Sequence, residues 1–128
     1  GTFIGSSLIH GTARDWARFG EFLRNGGSVR GAQLIPRGWI DFMTAPSPRN
    51  PGYGAQIWLN RPQRDGSEVL FPDKAPRSLF ACIGHLGQYV IGSPDQQLTV
   101  VRLGHTPGEQ REELRQRLGD LVTLFPKS

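Results

Sequence analysis

The hydrophobic residues of this chain change their spacing at one proline-rich segment, residues 45–52, which reads Ala-Pro-Ser-Pro-Arg-Asn-Pro-Gly. Before this segment the apolar residues recur at helical spacing, and after it they alternate as in a strand. So much proline excludes both regular structures, and we expect a rigid connector there. The change of period predicts a helical segment over residues 1–50 and an antiparallel sheet with a C-terminal helix over residues 51–128. This is an α+β fold.

Two helices are predicted before the connector. Thr12 and Asp15 have the spacing of a capping box, and apolar residues follow them at helical intervals, which predicts a helix over residues 13–24. Residues 25–27, Asn-Gly-Gly, tolerate positive φ and should end it. A second, shorter helix should begin at Pro36, whose fixed φ suits the first helical position. That helix should bury an apolar face formed by Trp39, Ile40 and Met43.

The remaining segments predict strands and a final helix. Residues 53–59 alternate between apolar and other side chains, which is typical of a strand with one buried face. A short strand is expected near residues 68–71. Residues 79–92, interrupted by glycines, and residues 98–103 should form a hairpin. A helix over residues 109–125 should pack on the sheet through one apolar stripe, formed by Leu114, Leu118, Leu121, Val122 and Phe125.

The net charge of +4 comes almost entirely from arginine, because Lys74 and Lys127 are the only lysines. The arginines extend from Arg14 to Arg117, with acidic residues between them and no run of like charge. Nucleic-acid binding surfaces are usually clustered basic patches. The sequence therefore favours a solvated, arginine-rich surface and no nucleic-acid partner.

Cysteine, histidine and apolar runs limit the chemistry further. Cys82 is the only cysteine and lies in the apolar run 79–83, which favours a small buried hydrophobe over a nucleophile. The three histidines, His10, His85 and His105, lack the paired spacing of a zinc site, so we predict neither a metal nor a cofactor. No run of eighteen apolar residues occurs, so no membrane span is expected.

Residues 84–89, Gly-His-Leu-Gly-Gln-Tyr, place two glycines and a histidine inside an apolar strand pattern. Glycine in a strand weakens it, and it often marks a bulge or the close approach of another backbone or a ligand. Both interpretations remain open from the residues alone.

Four segments together resemble the C-terminal half of serine β-lactamase and penicillin-binding-protein-like hydrolases, particularly their esterase-like members and the 6-aminohexanoate-dimer hydrolase branch. These segments are residues 11–20, 34–39, 53–58 and 84–88, and they occur in the order of that family. The resemblance implies a β-lactamase/transpeptidase-like fold. It also implies hydrolysis of a small-molecule ester or amide through an acyl-serine intermediate. A bacterial parent of this kind could be periplasmic or exported.

In that family a His-x-Gly or Lys-Thr-Gly motif lies on a strand lining the cleft, and His85-Leu86-Gly87 resembles the first form. The resemblance implies that the backbone N–H of Gln88 contributes to an oxyanion hole and that His85 orients or attracts a substrate group. Gly87 would leave room for the substrate, so Gly87→Val should abolish turnover while folding is retained. Leu86 and Tyr89 are the predicted substrate-binding neighbours.

The family has two further motifs, Ser-x-x-Lys and Tyr-x-Asn, and neither occurs in this chain. No serine has a lysine three residues later, and neither tyrosine has an asparagine two residues later. The sequence therefore predicts a C-terminal fragment that lacks the Ser-x-x-Lys nucleophile and is inactive alone. Apolar surface left uncovered, including Trp16 and Phe19, should favour self-association. The alternative is a noncatalytic module that binds a peptide or acidic partner along an exposed strand edge.

Overall fold

The computed structural model describes residues 1–2 and 4–128. Its helices are α1 (Ala13–Arg24), α2 (Arg37–Met43) and α3 (Arg111–Thr123), with short 3-10 turns at Pro94–Gln96 and Gly108–Gln110. Its strands are β1 (Ser28–Val29), β2 (Ala32–Gln33), β3 (Trp58–Leu59), β4 (Phe80–Gly84), β5 (Gln88–Ser93) and β6 (Leu98–Arg102). Strands β1 and β2 form a separate hairpin, and the larger sheet is antiparallel with the order β3-β4-β5-β6. The predicted α+β class is confirmed.

Helix α1 begins and ends where its local sequence signals lie. The side chain of Thr12 accepts a hydrogen bond from the backbone N–H of Asp15 at 3.1 Å, and the backbone N–H of Thr12 donates to Asp15 Oδ2 at 3.0 Å. These hydrogen bonds from Thr12 hold the pKa of Asp15 below its ordinary value. At the other end Gly26 and Gly27 have φ of +67° and +85°. The capping box and the predicted helix bounds are confirmed.

A glycine allows α1 to lie close to the larger sheet. A Cβ atom at Gly20 would come within 2.8 Å of side-chain atoms of both Val90 and Thr99. The Arg24 Nε atom donates to Thr99 Oγ1 at 3.1 Å on the same face. Helix α1 is therefore fixed over strands β5 and β6 by close packing and one polar contact.

Helix α2 follows Pro36, as predicted, but it buries less of its apolar surface than expected. Ile40 is buried and Met43 is partly buried, whereas Trp39 is 60% exposed. The ring of Trp39 packs edge to face on Phe42, with centroids 6.1 Å apart, and Phe42 is itself exposed. A seven-residue helix presents only one narrow face to the core, and Trp39 lies outside it. The prediction that Trp39 is buried is wrong.

The predicted strand over residues 53–59 is also wrong, because only its last part is a strand, β3. Tyr53 and Trp58 form an isolated β-bridge, and the chain turns back between them. The N–H of Gly54 donates to the carbonyl of Ile57 at 2.8 Å across this reversal. Local hydrogen bonds of this kind replace the ladder of a longer strand, so the apolar alternation here reflects a turn whose Ile57 faces the core.

No strand forms at the predicted position, residues 68–71, yet the loop there is tightly held. Leu70 and Phe71 are buried, and the side chain of Asn60 organises the backbone around them. Asn60 Oδ1 accepts the N–H of Phe71 at 3.0 Å, and Asn60 Nδ2 donates to the carbonyl of Ala75 at 3.1 Å. A buried amide therefore satisfies backbone groups that a strand partner would otherwise satisfy.

The sheet has a core on each face. On the α3 side the core contains Leu70, Phe71, Leu79, Ala81, Tyr89, Ile91, Leu118 and Val122. On the other side it contains Leu23, Ile40, Ile57, Leu59 and Phe80, with Cys82 partly buried beside them. The second core contains residues from both predicted segments, 1–50 and 51–128. These segments therefore pack together.

Helix α3 starts two residues later and ends two residues earlier than predicted. Leu118 and Val122 are buried and Leu114 is partly buried, but Leu121 and Phe125 are exposed. The apolar stripe is therefore narrower than the sequence pattern indicated, because the chain leaves the helix before Phe125.

Candidate functional site

The His85–Gly87 segment is the turn between β4 and β5. Gly84 pairs with Gln88 at the end of the two strands, and Leu86 and Gly87 have positive φ of 62° and 84°. The predicted single strand over residues 79–92 is therefore two strands, and the His-x-Gly motif lies on the turn that joins them. Gly84 and Gly87 flank a tight reversal of the chain. A turn is thus a third interpretation of these glycines, beside the bulge and the close approach of a backbone or ligand.

Contacts from the loop after β6 hold this turn in place. The carbonyl of Leu86 accepts the backbone N–H of Thr106 at 2.9 Å. The carbonyl of Gly87 accepts Arg102 Nη1 at 2.9 Å, while Arg102 Nη2 donates to Thr106 Oγ1 at 2.6 Å. One guanidinium thus joins the turn to the loop, and the carbonyls of Leu86 and Gly87 both have hydrogen-bond partners.

Gly87 is required here for packing as well as for its backbone conformation. A Cβ atom at Gly87 would lie 2.8 Å from Leu114 Cδ2 and 3.4 Å from Thr106 Cβ. The space beside Gly87 is therefore filled by the side chain of Leu114 on α3. The predicted position of a substrate beside Gly87 stays a prediction, and Leu114 lies on the side of Gly87 toward which a Cβ atom would project.

The structure separates the predicted site residues onto different surfaces. His85 is exposed, Leu86 and Gln88 are half-buried, and Gln88 Nε2 donates to the carbonyl of His85 at 3.2 Å. The ring of Tyr89 is only 7% exposed and belongs to the core under α3. Burial raises the pKa of the Tyr89 hydroxyl, although the positive charge of Arg115 opposes that rise. The predicted substrate-binding role of Tyr89 stays a prediction.

Three residues that support the turn were not identified from the sequence: Arg102, Thr106 and Leu114. Arg102 lies near the end of the strand predicted over residues 98–103, and Thr106 lies in the loop after it. Neither has a sequence signal for this role, because their contact with the turn depends on the register of β5 with β6, in which Tyr89 pairs with Arg102.

A cleft with a volume of about 210 Å³ lies at the opposite end of β4 and β5. Arg24, Arg37, Arg61 and Arg77 line it together, although they are far apart in the sequence. The sequence pattern of dispersed arginines therefore did not predict this spatial cluster.

Cys82 and the candidate metal ligands can be placed as well. Cys82 is a free cysteine, and burial raises the pKa of its thiol, which supports the predicted packing role over a reactive one. Within residues 1–2 and 4–128, no group of three or more His, Cys, Asp or Glu side chains is arranged to hold a metal ion. Each helix in the described part of the chain is too short or too polar to span a membrane.

Comparison with models of known protein families and with curated proteins finds no match for this sequence. The fold and the site define an α+β chain with a braced β-hairpin turn at one end of its sheet and an arginine-lined cleft at the other. The resemblance to serine hydrolases is an inference from sequence motifs.

Proposed function

We propose that this chain is the C-terminal part of a serine hydrolase with a β-lactamase-like fold, and that the turn carrying His85 and Gln88 forms one wall of its cleft. The observation that best supports the proposal is the bracing of this turn by Arg102 and Thr106. A fixed backbone is what an oxyanion hole needs, because its N–H donors must be aligned before charge develops. The four ordered motifs supply the choice of family.

In the proposed reaction this chain supplies an oxyanion-hole donor, and a segment outside it supplies the nucleophile. A serine hydroxyl of a Ser-x-x-Lys motif attacks the ester or amide carbonyl, and its proton passes to the lysine. The lysine gives this proton to the leaving group, which departs as the alcohol or amine and leaves the acyl-serine. Water then hydrolyses the acyl-serine. The backbone N–H of Gln88 stabilises the oxyanion in both steps, an effect worth about 3 kcal/mol for one such donor. His85 is exposed on the same turn, which supports a role in binding a polar group of the substrate.

Exposed apolar surface supports the proposal that another segment covers this chain. Phe19 on α1 is 40% exposed, and Trp16 beside it is half-buried, with the two rings edge to face at 6.1 Å. Removing such rings from water would favour association by roughly 25 cal/mol for each Å² buried. Self-association of the chain alone is the expected consequence.

The test uses the longer protein in which this sequence occurs. A fluorophosphonate probe should label one serine that is followed by lysine three residues later, and p-nitrophenyl esters should be hydrolysed. Replacing that serine by alanine should remove both signals. The proposal fails if a folded parent protein shows neither labelling nor ester turnover, or if its reading frame contains no such serine.

A noncatalytic binding module is the second candidate function, and one observation favours it. Strand β6 is at the edge of the larger sheet, with β5 on one side and, within the described residues, no strand on the other. Such an edge can pair with an extended peptide. An acidic peptide should then protect β6 amides from hydrogen exchange at every second residue, Leu98 to Arg102. Uniform exchange with and without peptide would contradict this function.

A further inference from the structure

The arginine-lined cleft is formed where four chain segments meet. Arg24 comes from the last turn of α1, Arg37 from the start of α2, Arg61 from the residues after β3 and Arg77 from the residues before β4. The cleft lies about 17 Å from the His85 turn, since five residue steps along β4 separate Phe80, which lines the cleft, from His85. Its floor consists of buried apolar side chains, namely Leu23, Ile40, Leu59, Leu79 and Phe80.

The charges that line this cleft are not balanced within the described chain. Arg24 is already engaged, because its Nη2 atom lies 3.6 Å from Glu21 Oε1. None of the ion pairs among residues 1–2 and 4–128 includes Arg37, Arg61 or Arg77. Asp41 is the one carboxylate in the lining. Three guanidinium charges against one carboxylate charge leave a surplus of two positive charges.

Arg61 lies in an environment that disfavours its charge. Burial lowers the pKa of its guanidinium, and the like charge of Arg77 lowers it further. Two guanidinium groups that repel each other in a partly buried cleft would be stabilised by a shared anion. Arginine suits this role because its planar group makes paired hydrogen bonds to phosphate and carboxylate oxygens.

We propose that this cleft binds a phosphate group, either as free phosphate or as the monoester of a small molecule. A phosphate monoester carries about −1.5 to −2 charges at neutral pH, which matches the surplus of two positive charges. Arg37, Arg61 and Arg77 donate hydrogen bonds to its oxygens, and the buried apolar side chains of the lining limit the access of water to the site. The volume of about 210 Å³ limits the ligand to a small molecule.

The experiment is a calorimetric titration of the whole chain with inorganic phosphate and, separately, with phenyl phosphate, at constant ionic strength maintained with sodium chloride. Both ligands should bind at one site. Equal affinities would indicate a site for free phosphate, and tighter binding of phenyl phosphate would indicate a site for an ester. Arg77→Gln should weaken binding about tenfold or more, because it removes charge-assisted hydrogen bonds. Arg64→Gln is the matched control, since Arg64 is exposed in the same loop and lies outside the lining.

Amide chemical shifts provide a second measurement that does not depend on a variant folding. Phosphate should shift the amides of Gly26, Thr44 and Ser78 in the unmodified chain, because these residues line the cleft. The proposal is overturned if titration produces no saturable heat beyond chloride at matched ionic strength. It is equally overturned if Arg64→Gln weakens binding as much as Arg77→Gln, or if the shifts are spread over other arginines outside the cleft.

Discussion

The His85–Gly87 turn lies at one end of strands β4 and β5, and the arginine-lined cleft lies at the other. Both regions contain arginine, but the arginines have different partners in each. At the turn, Arg102 donates to the Gly87 carbonyl and to Thr106 Oγ1, so its hydrogen-bonding capacity serves the fold. At the cleft, Arg61 and Arg77 have no ion-pair partner within the described residues, and their charges repel. The contacts of a charged residue, and not its type, therefore distinguish an arginine that stabilises the fold from one whose donors are free to bind a ligand.

The largest expected effect is at the turn, where Gly87→Val should destabilise the chain by about 3 kcal/mol. Valine at positive φ costs roughly 1–3 kcal/mol, and overlap with Leu114 Cδ2, the end of a flexible side chain, adds a smaller amount. Gly66→Val is the matched control, because Gly66 has the same φ of +84° but no heavy atom within 4 Å of its Cβ position. Urea denaturation of both variants measures the difference, which isolates the contact with Leu114. The sequence led us to expect that Gly87→Val retains its fold, and the urea measurement tests that expectation.

Equal destabilisation of the two variants would contradict this account. It would mean that Leu114 moves aside without cost, and that the space beside Gly87 can be opened. A substrate could then lie there after all, and the first interpretation of the glycine would be restored.

The elements predicted correctly from sequence are those whose signals are local. Helix α1 is bounded by its own capping box and by Gly26 and Gly27, and β6 is the second strand of a hairpin with a short connection. The errors arose where tertiary contacts decide the structure. Residues 53–57 form a turn in which the Gly54 N–H donates to the Ile57 carbonyl. Trp39 is exposed because α2 is too short to bury it.

The candidate site was located by its glycines, but its geometry could not be predicted. A glycine pair in an apolar run fits a bulge, a close approach or a turn equally well, and the bracing by Arg102 depends on the register of β5 with β6. The arginine cleft had no sequence signal at all. Four segments from Arg24 to Arg77 form it, and only their packing brings the charges together.

The next largest effect is expected for Arg102, whose hydrogen bonds should stabilise the turn. Arg102→Met should lower the free energy of unfolding by about 2 kcal/mol, because it leaves the buried Gly87 carbonyl without a partner. Arg111→Met is the control, since Arg111 is exposed on α3 and forms no ion pair within the described residues. Thermal denaturation should separate the two variants clearly. A similar small effect in both would show that the turn does not need its brace.

A third prediction concerns Arg115, another arginine whose donors serve the fold. It donates to the Leu70 carbonyl and to both carboxylate oxygens of Glu112. Hydrogen bonds from Arg115 and, to a lesser extent, from Gln116 lower the pKa of Glu112 from 4.5 to about 2. Because the folded pKa lies below the unfolded one, the stabilisation is complete above the unfolded pKa and is lost as pH falls from about 4.5 to about 2.

The magnitude of this pH effect is small because Glu112 is exposed. We expect less than about 1 kcal/mol, as for other exposed ion pairs. The measurement is the difference in unfolding free energy between the unmodified chain and Glu112→Gln, from pH 6 down to the acid limit of folding. That difference should shrink toward zero in acid. A difference that stays constant with pH would mean that the carboxylate is not stabilised by Arg115.

The smallest expected effect is at the cleft, where Arg77→Gln should change stability by less than about 0.5 kcal/mol in the absence of phosphate. Arg77 is exposed and has no ion-pair partner among the described residues, so its removal breaks no contact of this kind. It also relieves the repulsion of Arg61, so the change should be slightly stabilising at low salt and should vanish as salt screens the two charges. Denaturation at low and high sodium chloride measures this sign, with Arg64→Gln as the control. A destabilised Arg77→Gln variant would mean that Arg77 already has a structural partner, and the contrast between the two ends of the sheet would be lost.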